Sequence, residues 1–188
     1  MHESVITCNK LVTRFKEYVS LNEIVVFKGD IVLPDRILAG GHVACRNGRV
    51  AHVGTENPFP DTKPLEGRYV APGFVDIHVH GGANADYMDG DRDAVVTSNR
   101  CHAGHGTTTL FPTTTTGTRE ELDAMITSCE AVQNYWQSSD GARIAGVHFY
   151  GPYFAEDKVG VHSPDGRRDP VKEEYEYFLK KSIVRIAT

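Results

Sequence analysis

Strand-like and helix-like segments alternate from Tyr69 onward, and this alternation constrains the fold more than any other feature. Runs of β-branched and apolar residues predict strands, while apolar residues three or four positions apart predict helices. The predicted strands are Gly73–Val79, Thr107–Phe111, Arg143–Tyr150 and Ser182–Ala187, and the predicted helices cover residues 91–105, 118–136 and 171–181. Strands that alternate with helices are typical of parallel βαβ units, so the sequence predicts an α/β fold.

The helix after Pro112 has the clearest signals of the three. Thr118 and Glu121 stand in the T-x-x-E order of a capping box, which marks a helix N-terminus. Residues recur behind them at helical spacing: Leu122, Met125, Ile126, Cys129, Val132, Gln133 and Trp136. This pattern predicts an amphipathic helix.

Residues 23–54 have a different, β-rich character. β-branched runs flank Gly29-Asp30, which is a turn signal. Asn47-Gly48 separates two alternating segments, which predicts a hairpin with a type I′ turn. Residues 55–67 contain three prolines and no apolar period, so they are expected to connect the two regions; residues 1–20 have no clear period and are left unassigned.

Composition limits the classes of partner. The 188 residues have a net charge of −5, so they lack the basic surface that nucleic-acid binding requires. No apolar run approaches the ~20 residues that cross a bilayer, and MHESVITCNK has no apolar core of a signal peptide. Four widely spaced cysteines are typical of reduced thiols. We therefore expect a cytoplasmic protein with no nucleic-acid and no membrane partner.

His78 and His80 stand two positions apart at the end of a predicted strand. Side chains alternate along a strand, so both imidazoles project to the same side, where they can bind one metal ion at about 2.0–2.1 Å. The carboxyl ends of parallel strands are also where α/β enzymes place their sites. Nine histidines also produce such pairs by chance, so the residues alone leave open a metal site and a pair without function.

The other histidines have weaker patterns. His148 shares a strand face with Tyr150, which favours a core or supporting role over a ligand role. His102 and His105 lie near a predicted helix end, which is typical of surface residues. His162 lies in a loop after a strand, where substrate contacts are common.

Three segments resemble, in order, motifs of the amidohydrolase superfamily and, within it, of the N-acetylglucosamine-6-phosphate deacetylases. APGFVDIHVHG (71–81) is similar to the first barrel strand, which ends in H-x-H. HGTTTLFPTTTT (105–116) is similar to the second strand segment. GVHFYGPYFAEDKVGVH (146–162) is similar to the third-strand motif, usually H-x-E-G-P followed by a loop ending in K-G-x-H.

The resemblance implies a (β/α)8 TIM-type barrel beside a small β-sandwich. Residues 1–68 would form the N-terminal segment and part of the sandwich, and residues 69–188 about the first four barrel strands. It also implies an enzyme of amino-sugar catabolism that deacetylates N-acetylglucosamine 6-phosphate to glucosamine 6-phosphate. The implied cofactor is a divalent metal that activates water, zinc first, with iron, nickel or cobalt as alternatives. The parent protein is expected to be a homodimer that binds a small amino-sugar phosphate.

Site residues follow from the matched motifs. His78 and His80 match the metal-binding histidines, and Val161 and His162 match the loop pair that contacts the substrate. Tyr150 falls on the metal-ligand glutamate, which is the main departure from the pattern. A carboxylate is anionic at neutral pH, whereas a phenol has an unperturbed pKa near 10. The site could tolerate Tyr150, could be rebuilt for a different amide or sugar, or could have lost the metal and the activity.

Length is the second departure. A complete barrel takes about 250 residues, and residues 69–188 are fewer than half of that. We expect the chain to be the N-terminal part of a longer enzyme, inactive by itself, with the catalytic aspartate beyond Thr188 and the catalytic residues of this part unknown. The alternatives are another amidohydrolase, of a cyclic-amidase or deaminase type, and a non-catalytic fragment or pseudoenzyme.

Overall fold

The computed structural model of the chain describes residues 5–7 and 24–188. The chain divides into two compact units, the first ending at Gly73 and the second covering Phe74–Thr188. Most of the unassigned N-terminal segment lies outside the described residues. Within the described part of the chain, no helix has the length and apolar character needed to cross a membrane.

In the described part of the first unit, five strands form one sheet. The strands are β1 Val5–Thr7, β2 Ile24–Val32, β3 Ile37–Arg46, β4 Arg49–Gly54 and β5 Leu65–Ala71. Their order in the sheet is β1-β5-β2-β3-β4. β5 pairs in parallel with both β1 and β2, while the β2–β3 and β3–β4 pairs are antiparallel.

The predicted hairpin between β3 and β4 is confirmed. Arg46 pairs with Arg49, so the loop is Asn47-Gly48 alone. Asn47 has φ 53° and Gly48 has φ 71°. A type I′ turn needs positive φ at both central residues, and the Asn-Gly sequence tolerates that conformation.

The turn expected at Gly29-Asp30 is wrong, because β2 runs through these residues as one strand with a register shift. A Cβ on Gly29 would collide with the carbonyl oxygen of Gly67 on the neighbouring strand. Asp30 Oδ1 accepts a hydrogen bond of 2.9 Å from the backbone nitrogen of Gly40. The glycine therefore permits close strand approach in a bulge rather than a chain reversal.

The second unit alternates strands and helices. Its elements are β6 Phe74–Val79, β7 Gly81–Gly82, β8 Ala85–Asp86, α1 Arg92–Gly104, β9 Thr107–Pro112, α2 Arg119–Asn134, β10 Arg143–Ile144, β11 Val147–Phe149, α3 Lys172–Leu179 and β12 Val184–Ala187. β10, β9 and β6 form one parallel sheet, β11 and β12 form a second parallel pair, and β7 and β8 form a short antiparallel pair. The predicted alternation is confirmed.

The strand predicted over Gly73–Val79 is confirmed as β6, and the preceding residues Tyr69–Ala71 complete β5 of the first unit. The strand predicted over Arg143–Tyr150 is interrupted at Ala145–Gly146, where the chain changes its partner from β9 to β12. A Cβ on Gly146 would collide with the side chain of Arg185, so the change of partner needs a glycine there.

Contacts after β9 connect the two parallel sheets. Thr113 forms a parallel bridge with His148 of β11, and Ala145 N donates to the carbonyl oxygen of Leu110 at 3.0 Å. Neighbouring strands therefore follow chain order, from β6 through β9 and the β10–β11 segment to β12.

The core of the second unit lies between the sheets and the helices. The capping box of α2 is confirmed, because Thr118 Oγ1 accepts from Glu121 N at 3.2 Å and Glu121 Oε2 accepts from Thr118 N at 2.7 Å. The apolar stripe of α2 is buried: Leu122, Met125, Ile126, Cys129 and Val132. The helix ends at Asn134, so Trp136 lies beyond it.

Candidate functional site

The carboxyl ends of β6 and β11, together with the loop that follows β11, bring four of the five predicted site residues together. His78 and His80 lie at the end of β6, Tyr150 directly follows β11, and the long loop of residues 151–171 returns His162 to the same place. The ring centroid of Tyr150 is 4.8 Å from that of His78 and 5.6 Å from that of His162, and the His80 and His162 centroids are 5.6 Å apart. Four residues chosen from sequence thus share one cluster.

The two β6 histidines point their Nε2 atoms at each other, 3.0 Å apart. His80 Nδ1 lies 3.1 Å from the carbonyl oxygen of Thr113. A carbonyl oxygen can only accept, so Nδ1 carries the hydrogen and neutral His80 has its lone pair on Nε2. Burial lowers the pKa of His80 and the neighbouring His78 lowers it further, although the hydrogen bond to Thr113 opposes both.

Threonines after β9 hold this arrangement, and sequence reasoning missed their role. Thr113 is fully buried, and its Oγ1 accepts from Val79 N at 3.0 Å and donates to the carbonyl oxygen of Phe111. Thr114 Oγ1 accepts from Tyr150 N at 2.8 Å and donates to the carbonyl oxygen of Tyr150 at 3.0 Å. The threonine-rich run TTTLFPTTTT was the available signal.

Tyr150 stands at the centre of the cluster. Besides its contact with His78, its ring makes an edge contact with Phe154 at 4.9 Å and lies 5.7 Å from the ring of His148. Its backbone is fixed on both sides by Thr114. The position of residue 150 is therefore set by the sheet, while its phenol ring fills the space beside the histidine pair.

His148 is a supporting residue, as its strand position predicted. It is 5% exposed, its Nδ1 donates to the carbonyl oxygen of Ile77 at 2.9 Å, and its Nε2 is hydrogen-bonded to Thr188 Oγ1 at 3.0 Å. Burial lowers the pKa of His148. Both ring nitrogens have partners in the described residues, so this side chain orients β6 rather than offering a ligand.

The two loop residues Val161 and His162 have different surroundings. The His162 ring stacks on Phe154, with centroids 5.0 Å apart and ring planes 8° apart. Val161 is 99% exposed. Their assignment to substrate contact stays a prediction, and the geometry adds that Phe154 supports His162.

The histidine pair can be tested for its fit to a metal ion. Two nitrogens bound to one ion at about 2.0–2.1 Å are separated by roughly 3 Å, as the Nε2 atoms of His78 and His80 are. Among the described residues, no group of three or more His, Cys, Asp or Glu side chains has metal-binding geometry. The spacing of the two nitrogens is compatible with two ligand positions of one metal site, and the ring centroid of Tyr150 lies 4.8 Å from that of His78.

Comparisons with known proteins agree with the resemblance of the three motifs. No family model matches the chain. The chain is 33% identical over 122 residues to the N-acetylglucosamine-6-phosphate deacetylase of Vibrio furnissii, which covers 65% of this chain and 30% of that protein. It is 26% identical over 165 residues to that of Bacillus subtilis, covering 84% and 42%. It is 31% identical over 96 residues to the N-acetylgalactosamine-6-phosphate deacetylase of Escherichia coli O157:H7, covering 51% and 25%.

A solved structure of a deacetylase also matches this chain over part of its length. A mutant N-acetyl-D-glucosamine-6-phosphate deacetylase from Mycobacterium smegmatis, in complex with N-acetyl-D-glucosamine 6-phosphate, matches with a TM-score of 0.70 and 25% identity. The match covers 87% of this chain and 42% of that chain.

These matches show that the chain is homologous to enzymes of the amidohydrolase superfamily. The homology is to the N-acetylglucosamine-6-phosphate deacetylases, over part of their length, so the resemblance predicted from the motifs is confirmed. The chain spans between 25% and 42% of the length of the three curated relatives described above.

Proposed function

We propose that this chain carries the first part of a metal-dependent deacetylase site, which in the complete protein hydrolyses the acetamido group of N-acetylglucosamine 6-phosphate. One observation carries the proposal. At the carboxyl end of β6, two histidine Nε2 atoms lie 3.0 Å apart, and the Nδ1 of His80 is bonded to the carbonyl oxygen of Thr113. A hydrogen bond from the ring nitrogen that does not bind the metal orients the imidazole and fixes its tautomer.

We propose that residues 69–188 are about the first four strands of a (β/α)8 barrel, preceded in the chain by a partial β-sandwich in residues 1–68. Neighbouring strands follow chain order, as barrel strands do, whereas a doubly wound sheet reverses its order at a switch point. Val75 and Ile77 on β6 are 62% and 57% exposed, which supports a barrel whose remaining elements would cover them.

We assign metal binding to His78, His80 and, in the position of the family's glutamate, Tyr150. A divalent metal there, zinc first and iron, nickel or cobalt otherwise, would polarise the amide carbonyl and lower the pKa of a bound water. The chain's own contribution is orientation: Thr113 keeps the hydrogen of His80 on Nδ1, and Thr114 fixes the backbone of residue 150.

We assign substrate contact to Val161 and His162. The exposed Val161 side chain is available to the substrate, and the His162 ring centroid lies 5.6 Å from those of both His80 and Tyr150. The partner is a small amino-sugar phosphate, and the parent protein would be a homodimer. Homology to an N-acetylgalactosamine-6-phosphate deacetylase makes the galacto epimer the substrate to compare with.

A non-catalytic role is the second candidate, and Tyr150 is the observation that favours it. A neutral phenol is a poorer ligand than a carboxylate, because it must lose a proton whose unperturbed pKa is near 10. The ring also packs against His78 and Phe154, which is what a purely structural side chain would do.

Metal content of the purified chain separates the two candidates. After loading with zinc and gel filtration, we expect elemental analysis to find about one zinc per chain in the wild type and a loss of that zinc in H78N and H80N. The matched control is H105N, because His105 is exposed and outside the cluster. Equal zinc content in the wild type and the double variant H78N/H80N would refute the metal site.

Activity is tested separately on the protein isolated from its source cells. Acetate release from N-acetylglucosamine 6-phosphate, compared with N-acetylgalactosamine 6-phosphate, decides the sugar. A protein that retains zinc but releases acetate from neither sugar would refute the substrate while leaving the metal site.

A further inference from the structure

We propose that Arg168 is a positioning residue whose guanidinium holds the loop of residues 151–171 and thereby sets where His162 stands at the candidate site. This inference rests on the proposed function only for the role of His162 toward a substrate. The mechanical part concerns the loop alone and can be tested without any turnover.

Arg168 connects three separate segments with its side chain. Nη1 donates to the carbonyl oxygen of Gly117 at 2.7 Å, just before the capping residue of α2. Nε and Nη2 donate to the two carboxylate oxygens of Glu174 in the first turn of α3, at 2.9 and 2.6 Å. Nη1 also donates to the carbonyl oxygen of Gly166 within the loop, at 3.1 Å. A planar guanidinium can satisfy all of these partners at once, and an ammonium cannot.

The ion pair between Arg168 and Glu174 is partly buried, so solvent screens it less than a surface pair. The side chains of Arg168 and Glu174 are 29% and 12% exposed. Tyr153 OH donates to Glu174 Oε2 at 2.9 Å, so the same carboxylate also holds the start of the loop. The bonds from Arg168 lower the pKa of Glu174, which keeps it ionised at neutral pH. Two-pronged, charge-assisted pairs of this kind are the strong and geometrically specific ones.

A short path leads from Arg168 to His162. The backbone nitrogen of Arg168 donates to the carbonyl oxygen of Pro152 at 3.3 Å, and the neighbouring Arg167 donates through Nε to the carbonyl oxygen of Phe154 at 2.8 Å. The Phe154 ring is the surface on which His162 stacks, at 5.0 Å.

The loop of residues 151–171 also packs tightly against the backbone just before α2. A Cβ on Gly166 would lie 2.5 Å from Gly117 N, so the two backbones are in direct contact beside the Arg168 bond. Releasing the guanidinium from Gly117 would let this contact open. The first half of the loop, which carries Phe154 and His162, would then no longer be held at a fixed distance from β6 and β11.

The test uses the whole chain, with histidine ring signals observed by NMR at one pH. His162 is identified by the signal that disappears in H162Q. Stacking on Phe154 should displace its ring protons upfield of those of a free histidine. We expect R168K and E174Q to lose at least about half of that displacement, and amides of residues 155–166 to exchange about tenfold faster. R143K and E176Q are the matched controls, an exposed arginine elsewhere and an exposed glutamate on the same helix, and should change neither signal.

Two outcomes decide the proposal. Folded R168K and E174Q proteins with the wild-type His162 shift and wild-type exchange would overturn it. A lost shift in both variants supports it, and E174Q alone suffices if R168K does not fold, because the glutamine leaves the Tyr153 bond possible. Failure of the wild type to bind any of zinc, iron, nickel and cobalt would refute the proposed function without touching the NMR result, so the two failures are distinguishable.

Discussion

His80 and Thr113 hold each other in place across two strands. The ring of His80 donates from Nδ1 to the carbonyl oxygen of Thr113 at 3.1 Å. The hydroxyl of Thr113 in turn accepts from Val79 N, the residue before His80, at 3.0 Å. One buried threonine therefore fixes both the strand that carries the histidine and the tautomer of its ring.

The first prediction follows from this relationship. T113V keeps the shape of the side chain but leaves Val79 N and the carbonyl oxygen of Phe111 without the hydroxyl. A buried polar group without a partner costs about 1–3 kcal/mol, so we expect the free energy of unfolding to fall by that amount. Urea unfolding followed by circular dichroism measures it.

The control for that variant is T115V. Thr115 is partly exposed and its hydroxyl donates only to the neighbouring carbonyl oxygen of Thr116. We expect a change below about 0.5 kcal/mol for it. Equal destabilisation of T113V and T115V would show that the cross-strand bonds of Thr113 have no special weight.

Local signals in the sequence were sufficient to predict the helix α2 of the second unit and the β3–β4 hairpin of the first. The capping box at Thr118 and the apolar stripe behind it depend on neighbours within one helix, and the structure has both. The Asn47-Gly48 hairpin likewise needs only two residues that accept positive φ. The break at Ala145–Gly146 could not be predicted in this way, because it depends on a change of partner strand and on the Arg185 side chain.

The candidate site shows the same division. His78 and His80 could be paired from strand alternation alone, and motif order added Tyr150 and His162. The roles of Thr113 and Arg168 could not be predicted, because each depends on at least one distant partner. Thr113 is bonded to His80 and Val79, 33 and 34 residues away along the chain, and Arg168 is bonded to Gly117, 51 residues away. A side chain that acts by holding other segments has no local pattern of its own.

The second prediction concerns Tyr150. We expect Y150E to bind zinc roughly tenfold more tightly than the wild type, because it adds an anionic oxygen beside His78. Competition with a chromophoric chelator measures the affinity. Y150F is the matched control, since it keeps the ring and removes the oxygen, and it should bind no more tightly than the wild type. A Y150E affinity equal to that of Y150F would mean that residue 150 does not reach the metal.

The third prediction concerns the buried pair Tyr87 and Asn99. Both side chains are fully buried, and Tyr87 OH donates to Asn99 Oδ1 at 2.8 Å. Burial raises the pKa of Tyr87, so the hydroxyl keeps its proton as a donor. Y87F should lower the free energy of unfolding by about 1–2 kcal/mol, because it leaves the amide oxygen without a partner. Y135F, at a tyrosine that is 79% exposed, should be neutral; equal effects of the two variants in urea unfolding would contradict the prediction.

The last prediction is a pH dependence carried by Glu174. Hydrogen bonds from Arg168, and then from Tyr153, hold its pKa below the ordinary value of 4.5, although burial opposes them. The folded state therefore binds this proton less readily than the unfolded chain. The resulting stability is fully present above pH 4.5 and is lost as the pH falls through the lower, folded-state pKa.

The variant E174Q tests that sign. At pH 7 its free energy of unfolding should be about 1–3 kcal/mol lower than that of the wild type, because the partly buried charge of Arg168 loses its counter-ion. The difference should shrink between pH 5 and pH 3, where the wild type also loses the carboxylate charge. Urea unfolding of E174Q, the wild type and E176Q at pH 7, 5, 4 and 3 measures it, with Glu176 as an exposed partner of lysines. A wild-type minus E174Q difference that stays constant over this range would show that the ionised Glu174 does not stabilise the fold.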